Sequence, residues 1–446
     1  MTALRLSRVS CSLACCGIVL SAVACSGDAA APEVRSVAST AYARAASPTP
    51  SATSPAYGDQ STTIDVHVLG SGFGPDATAR WLLHGVEDPS QVKTNRTTYV
   101  SSTEVIANIT IAPAAKIDYW DVQMMSGGKT GVGVELFEVT TAIALNGLET
   151  AYGVNDLGMI VGSNSAGAWF RDVDGTVTQL SSVGGARAID PAGLVIVANS
   201  DGVPVAYERA STTSPWSRVL LPVPAGNNAA YVQRMRAAGD GSGDLLVAGY
   251  AARPVKNLSY QTAVLWRRTA AGAWTVQVLP CPAGNMYSRA QDVAASGTVI
   301  GWCDKVITVW TPGVSGFSAT VLPNSGSAAP IAISANGQFA VGHDAGALMW
   351  ARNRSDGSWT LSLLATGGAP GGSANAVTDD GTAYGTAQDK KNFGFPAVWA
   401  STTAAPINLG GLGHREVAAV TAISPSNTYA VGRGDLRNAA LWILLP

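Results

Sequence analysis

From Ala151 to the C-terminus one pattern of apolar and polar positions returns repeatedly, and its clearest copy runs from Tyr152 to Leu180. A small apolar run ends in the turn Val154-Asn155-Asp156-Leu157-Gly158, and Met159-Ile160-Val161-Gly162 follows. An aromatic segment, Ala168-Trp169-Phe170, and a closing segment, Val177-Thr178-Gln179-Leu180, complete the unit. Short apolar runs punctuated by Gly, Asn and Asp predict strands joined by tight turns.

The turn and the run after it recur at Ile189 to Gly193, more loosely at Gly239 to Gly243, and then at Val293 to Gly297, Ile333 to Gly337, Val377 to Gly381 and Ile423 to Asn427. Turn positions 158, 193, 243, 297, 337, 381 and 427 are spaced by 35 to 54 residues. That range brackets the roughly 40 to 50 residues of a four-stranded propeller blade. A Trp marks the third segment at Trp266, Trp310, Trp350, Trp399 and Trp442, and Phe170 and Tyr207 are expected to fill that place in the first two copies. Such a stripe is read as packing, because large rings fill the widening gap between radial sheets. Fourth segments follow, such as Val278-Leu279-Pro280 and Ile407-Asn408-Leu409-Gly410.

The last copy ends without a fourth segment, whereas Ala142 to Leu148 precedes the first copy and reads like one. The predicted architecture over 141–446 is therefore a seven-bladed β-propeller closed by a strand near residues 141–148, which removes two open sheet edges. Between Ser61 and Thr140 the pattern is instead period-two, as in Ile64, Val66 and Val68 alternating with Asp65 and His67. It predicts a small β-sandwich over 59–140, so the fold class is all-β.

Two resemblances add to this reading. Gly70-Ser71-Gly72-Phe73-Gly74-Pro75, Tyr99-Val100-Ser101-Ser102-Thr103, Tyr119-Trp120-Asp121-Val122 and Gly127-Gly128-Lys129 together resemble the IPT/TIG immunoglobulin-like domain, which implies a structural or interaction module without catalysis. The repeat units resemble the HAF repeat of predicted extracellular bacterial proteins, best in Val154-Asn155-Asp156-Leu157-Gly158, Ala440-Leu441-Trp442 and Leu409-Gly410-Gly411-Leu412-Gly413. That resemblance implies an exported location and a propeller-like array, and it brings no catalytic residues with it.

The N-terminus changes the picture of where the chain works. Arg5 and Arg8 precede an apolar run from Val9 to Val23, which predicts a signal peptide over 1–24. The run is too short for a comfortable membrane span. Ala22-Val23-Ala24-Cys25 resembles the lipobox of bacterial lipoproteins, which implies a lipid on Cys25, and Ser26 after it leans toward outer-membrane sorting. An ordinary cleaved signal with Cys25 incidental is the other reading. Residues 25–58 are rich in Ala, Ser, Pro and Thr and are expected to be a flexible, lipidated linker. Of six cysteines only Cys281 and Cys303 then remain, and an exported chain with two leftover thiols predicts one disulfide.

Charged residues make up 13% of the chain and the formal net charge is −2, with no local Lys/Arg cluster, so no nucleic-acid partner is expected. A monomer that meets the membrane only through its lipid anchor is expected. Four histidines are present, and His67 and His84 belong to the sandwich. His343, Asp344 and His414 fall in loops that share one propeller rim with those of Trp302, Arg433, Asp435 and Tyr250, which makes these seven the ligand-binding candidates. No Ser-His-Asp order or metal-ligand spacing is visible, and the Asp-Gly turns lack the oxygen count of a calcium loop, so no catalytic residue, cofactor or metal is expected. Tyr152, Arg187, Arg236, Gln291 and Asn375 are placed near the central channel and include no carboxylate pair. The expected function is a non-catalytic, cell-surface or secreted protein that binds a glycan, a protein or a surface polymer. The alternatives are a propeller hydrolase or lyase acting on a polysaccharide or lactone, and a purely architectural surface protein.

Overall fold

A computed structural model describes residues 47–444, apart from 256–257, 282–286, 305, 324–327 and 414–417. The export signal, Cys25 and His414 lie outside the described residues. All regular elements among those described are β-strands.

Residues 49–140 build two sheets around one core. A four-stranded sheet orders Thr49–Ser54, Thr63–Ser71, Glu104–Ile111 and Val92–Ser101, and a five-stranded sheet orders Tyr57–Asp59, Lys129–Thr140, Asp118–Ser126, Thr78–Leu83 and Val86–Glu87. The alternation read from sequence decides which side faces inward. Val105, Ala107, Ile109 and Ile111 point to one face and meet Trp81, Trp120 and Phe137 from the other sheet. The linker boundary expected at residue 58 needs correction, because Thr49–Ser54 pairs antiparallel with Thr63–Ser71 and Tyr57–Asp59 pairs parallel with the end of Lys129–Thr140. These strands are recruited through main-chain hydrogen bonds at sheet edges, where Pro is tolerated, so an Ala/Ser/Thr/Pro composition hides them.

From residue 142 onward seven four-stranded antiparallel sheets succeed one another among the described residues, an arrangement consistent with a β-propeller. Their inner strands are Thr150–Val154, Gly185–Ile189, Ala229–Ala237, Ser288–Val293, Ala329–Ile333, Ser373–Val377 and Ala419–Ile423, which number the sheets one to seven. Each inner strand touches the next, and that of sheet seven touches that of sheet one. Ala142–Leu145 pairs with Ala439–Ile443, so sheet seven takes its fourth strand from residues that precede sheet one.

The repeated turn explains the degenerate motif. The backbone needs a positive φ at its last position, found at Gly158 (81°), Gly193 (70°), Gly297 (85°) and Gly337 (70°), and at Asn427 (59°) in the last copy. The first polar residue caps the turn. Asn155 Oδ1 accepts from the amides of Leu157 and Met159, Asp190 Oδ1 from Leu194 and Val195, Ser334 Oγ from Phe339, and Ser424 Oγ from Tyr429. Asn, Asp and Ser substitute for one another because each supplies one short-armed oxygen acceptor.

The Trp stripe carries a bond as well as volume. The indole Nε1 of Trp266, Trp310, Trp350, Trp399 and Trp442 donates to the carbonyl of Pro222, Pro280, Pro323, Ala365 and Gly410, each at the end of the preceding sheet, over 2.5 to 2.9 Å. The assignment of Phe170 to this stripe is corrected. Phe170 packs toward sheet two with Tyr207 and Trp216, whereas Trp169 faces sheet seven with Val431 and Leu441. Trp169 sits opposite Gly162, and its Nε1 is buried with no acceptor among the described residues. Two neighbouring aromatics on one strand point to opposite faces, and the sequence alone does not say which one faces back.

We expect Trp350→Phe, which keeps the ring and loses the bond to Pro323, to cost about 1 kcal/mol, and Trp350→Ala to cost about 3–5 kcal/mol. Chemical denaturation of the two variants checks this, and a Trp350→Phe variant as stable as the parent would show that the bond contributes nothing.

Candidate functional site

Every inner strand carries a β-bulge at the same register, and the residues it leaves unpaired are Tyr152, Arg187, Gln233, Gln291, Ile331, Asn375 and Thr421. All seven are half-buried. A bulge bends the strand and re-aims its residues, and two arginines of sheet three exploit the result. Arg234 Nη1 donates to the carbonyl of Tyr152 at 3.2 Å, and Nη2 donates to those of Asn375 at 3.4 Å and Thr421 at 2.6 Å. All three acceptors are bulge residues, in sheets one, six and seven. Arg236 donates to the carbonyls of Val293 at 2.8 Å and Ile333 at 3.2 Å, in sheets four and five, with the Asp292 carboxylate 3.8 Å away. Burial pushes the Arg234 guanidinium below its ordinary value, Asp292 opposes this, and Arg187 and Arg236 push it further down.

Beside this crossing, on the rim where the inner strands end in the repeated turn, lies a cavity of about 320 Å³ lined in part by Arg234, Arg236, Asp190, Asp292 and Asp379. Each of its carboxylates is engaged with main-chain amides. Asp190 caps its own turn, Asp292 accepts from Val293 and Ile333, and Asp379 accepts from Asn336. No group of three His, Cys, Asp or Glu side chains is placed to hold a metal ion among the described residues.

The opposite rim, where inner strands begin and second strands end, carries a strip of aromatic rings and guanidinium groups. Tyr231 and Tyr250 pair across strands and stack with centroids 5.0 Å apart. Arg289 lies 4.5 Å over Tyr250 and 5.7 Å over Trp302, its cross-strand partner, and donates through Nε to Gln261 Oε1. The hairpin of Leu245–Val255 and Leu258–Arg268 is longer than its counterparts and projects from this rim. It brings Tyr260 into a parallel stack with Tyr287 at 6.0 Å, with Arg253 over Tyr260 at 5.3 Å. Toward the channel, Arg187 lies 4.5 Å over the Tyr152 ring. Burial raises the Tyr250 phenol above its ordinary value while Arg289 draws it back.

Of the seven residues singled out from sequence, this strip contains Tyr250 and Trp302. Both lie on strands rather than in loops, as do His343 and Arg433 at equivalent second-strand ends. Arg433 donates to Thr150 Oγ1 at 3.4 Å, and His343 buries Nδ1 without a hydrogen-bond partner among the described residues. The Asp344 amide closes its own loop on Gly346, and Asp435 accepts from the amides of Arg437 and Asn438, so it holds its loop. His414 is outside the described residues. Sequence reasoning missed Tyr231, Arg289, Tyr260, Tyr287 and Arg253, because the bulge shift that sets Tyr231 beside Tyr250 has no sequence signature. Cys281, which follows sheet three, is bonded to Cys303, which ends the second strand of sheet four, with Cα atoms 5.7 Å apart.

No protein-family model and no curated protein matches the chain. Solved structures do share features with it. A virginiamycin B lyase from Staphylococcus aureus is 11% identical over 68% of this chain and 99% of its own, at a TM-score of 0.45. YCF48 bound to D1 peptide is 13% identical over 69% and 93%, at 0.40, and the WD40 domain of SCAP from fission yeast is 9% identical over 66% and 80%, at 0.36. At these values no activity, substrate or partner passes from them to this chain.

Arg234→Met removes the donor that three inner-strand carbonyls share, and we expect it to cost at least about 3 kcal/mol in chemical denaturation. Arg234→Lys, which keeps the charge but cannot span three acceptors, should lose less. A neutral Arg234→Met would overturn the view that the crossing holds the ring.

Proposed function

We propose that the chain is an exported, non-catalytic bacterial surface or secreted protein that binds a partner, a glycan, a protein or a surface polymer, through one face of a seven-bladed β-propeller. In this reading residues 1–24 are a signal peptide, Cys25 carries the lipid, the IPT/TIG-like sandwich is a spacer, and the HAF-like repeats form the blades, closed by Ala142–Leu145. The single observation that carries it is the strip of Tyr231, Tyr250, Arg289 and Trp302 on the rim opposite the repeated turns. Aromatic rings and arginines are the residues that concentrate binding energy at protein surfaces, because they bury large area at low entropic cost and add directional donors.

The rival reading, a hydrolase or lyase with its site in the channel, is weakened by what fills the channel. Arg234 and Arg236 cross the axis, and glycoside hydrolysis needs two placed, available carboxylates. Asp292 is 5% exposed and holds two amides.

The test takes the full chain to a glycan array and a panel of surface polymers, followed by product analysis on each hit. Binding is expected without turnover. It should fall at least about tenfold, or 1.4 kcal/mol, in Tyr250→Ala combined with Trp302→Ala and stay unchanged in Val314→Ser at the opposite rim. Turnover of a hit would replace the binding reading by the enzymatic one. Binding that ignores the Tyr250 and Trp302 changes would remove this face from the function.

A further inference from the structure

Arg187 is the one bulge residue that carries a permanent charge, and its guanidinium is unspent. Arg234 and Arg236 each find carbonyl acceptors, Arg433 a hydroxyl and Arg289 a side-chain amide oxygen. Arg187 makes no hydrogen bond or ion pair among the described residues, and its Nε is buried without an acceptor. What holds it is the face of Tyr152, 4.5 Å below. A guanidinium fixed flat on a ring loses little further freedom when it binds, and its edge presents two parallel donors that match the two oxygens of a carboxylate.

A cavity of about 380 Å³ opens beside it, lined in part by Tyr152, Arg187, Tyr231, Ser163, Asn199 and Asp201. That volume lies at the small end of ligand sites and suits one or two sugar rings. Tyr231 is braced from behind by Tyr250, which makes it a rigid platform of the kind on which the C–H face of a pyranose stacks. Asp201 brings an exposed carboxylate, an acceptor for the hydroxyls of a sugar, and Ser163 adds a hydroxyl. The charge around Arg234 leans the same way, since Arg187 and Arg236 act on it against one carboxylate, Asp292.

We propose that this pocket takes the carboxylate of a uronic-acid residue, with the sugar ring on Tyr231 and the carboxylate on Arg187, so that the partner of the face is an acidic glycan. The assignment rests on the binding reading above and narrows it to one ligand class. A plain polyanion does not satisfy the site, because Asp201 and the tyrosines call for hydroxyls and an apolar ring face next to the charge.

The experiment is calorimetric titration of the full chain with short oligomers of glucuronate, galacturonate, mannuronate, guluronate and iduronate. Each is paired with its methyl ester, which keeps the ring and removes the charge, and poly-glutamate and a sulfated neutral oligosaccharide serve as further arms. At least one uronate oligomer should bind, and binding should weaken at least about tenfold on esterification and in Arg187→Met, with Arg187→Lys between the two. Thermal melting of both variants should stay at the parent value, which separates lost binding from lost fold. Equal affinity for acid and ester, indifference to Arg187→Met, binding of no uronate, or equal binding of poly-glutamate or the sulfated sugar each overturns the proposal. In those cases neutral-glycan or protein binding that still responds to Tyr250→Ala would leave the broader binding reading standing, and its loss as well would remove both.

Discussion

A ring of radial sheets leaves an axis that no strand can occupy, and the structure depends on what is put there. Two guanidinium groups from one sheet reach five others, Arg234 to sheets one, six and seven and Arg236 to sheets four and five. A cation withdrawn from water is tolerated only where acceptors are already in place. The bulges place them, since each inner strand is bent at the same register and the carbonyls of Tyr152, Asn375 and Thr421 are all within reach of one side chain. Bulge side chains act in the same direction between neighbours: Asn375 donates to the carbonyl of Val420, and Thr421 to that of Ala151. The inner circle is thus held by polar bonds. The outer part of the wedge is held by Trp rings whose indoles donate to the preceding sheet.

How much of this was legible in the sequence follows from which interactions are local. The repeated turn was legible because one short span must supply both the capping oxygen and the positive φ, so Asn155 to Gly158 and Ser424 to Asn427 look alike despite sharing few letters. The Trp stripe was legible because the gap it fills recurs at every sheet. Phe170 was misplaced because strand alternation sends Trp169 and Phe170 to opposite faces and nothing local chooses between them. The edge strands at Thr49–Ser54 and Tyr57–Asp59 were hidden for a related reason, as their contribution is backbone and their side chains carry little apolar signal. The candidate site was the least legible part, because the neighbours of Tyr250 and Trp302 are set by pairing across strands. Tyr231 and Arg289 become their partners only once each bulge has shifted the register by one.

The same logic joins the sandwich to the ring of sheets. Glu138 is 2% exposed, and its two carboxylate oxygens each accept a main-chain amide, from Gly411 and Gly413, at 2.7 Å. A side chain at Gly413 would run into Ala56, and one at Gly410 would run into Thr140. The Leu409-Gly410-Gly411-Leu412-Gly413 segment, which from sequence reads as the ending of a repeat unit, therefore also works as a backbone cradle for a buried carboxylate. With Lys391 and Glu135 paired at 2.7 Å nearby, the sandwich is fixed against sheet six rather than tethered to it.

These constraints make the two rims chemically unequal. On the rim of the repeated turns, carboxylates and hydroxyls are consumed by the turns themselves, as with Asp190, Ser334 and Asp379. Little donor or acceptor capacity is left there for a partner. The opposite rim is free of that burden, because its loops vary in length from sheet to sheet and its strand ends need no common cap. It is there that the longest hairpin of the ring projects, that the tyrosines stack, and that Arg187 keeps a guanidinium with no hydrogen-bond acceptor among the described residues. A repeat that must close its turns identically on one side has only the other side on which to differ, and a surface that differs from sheet to sheet is what recognition of an asymmetric partner requires.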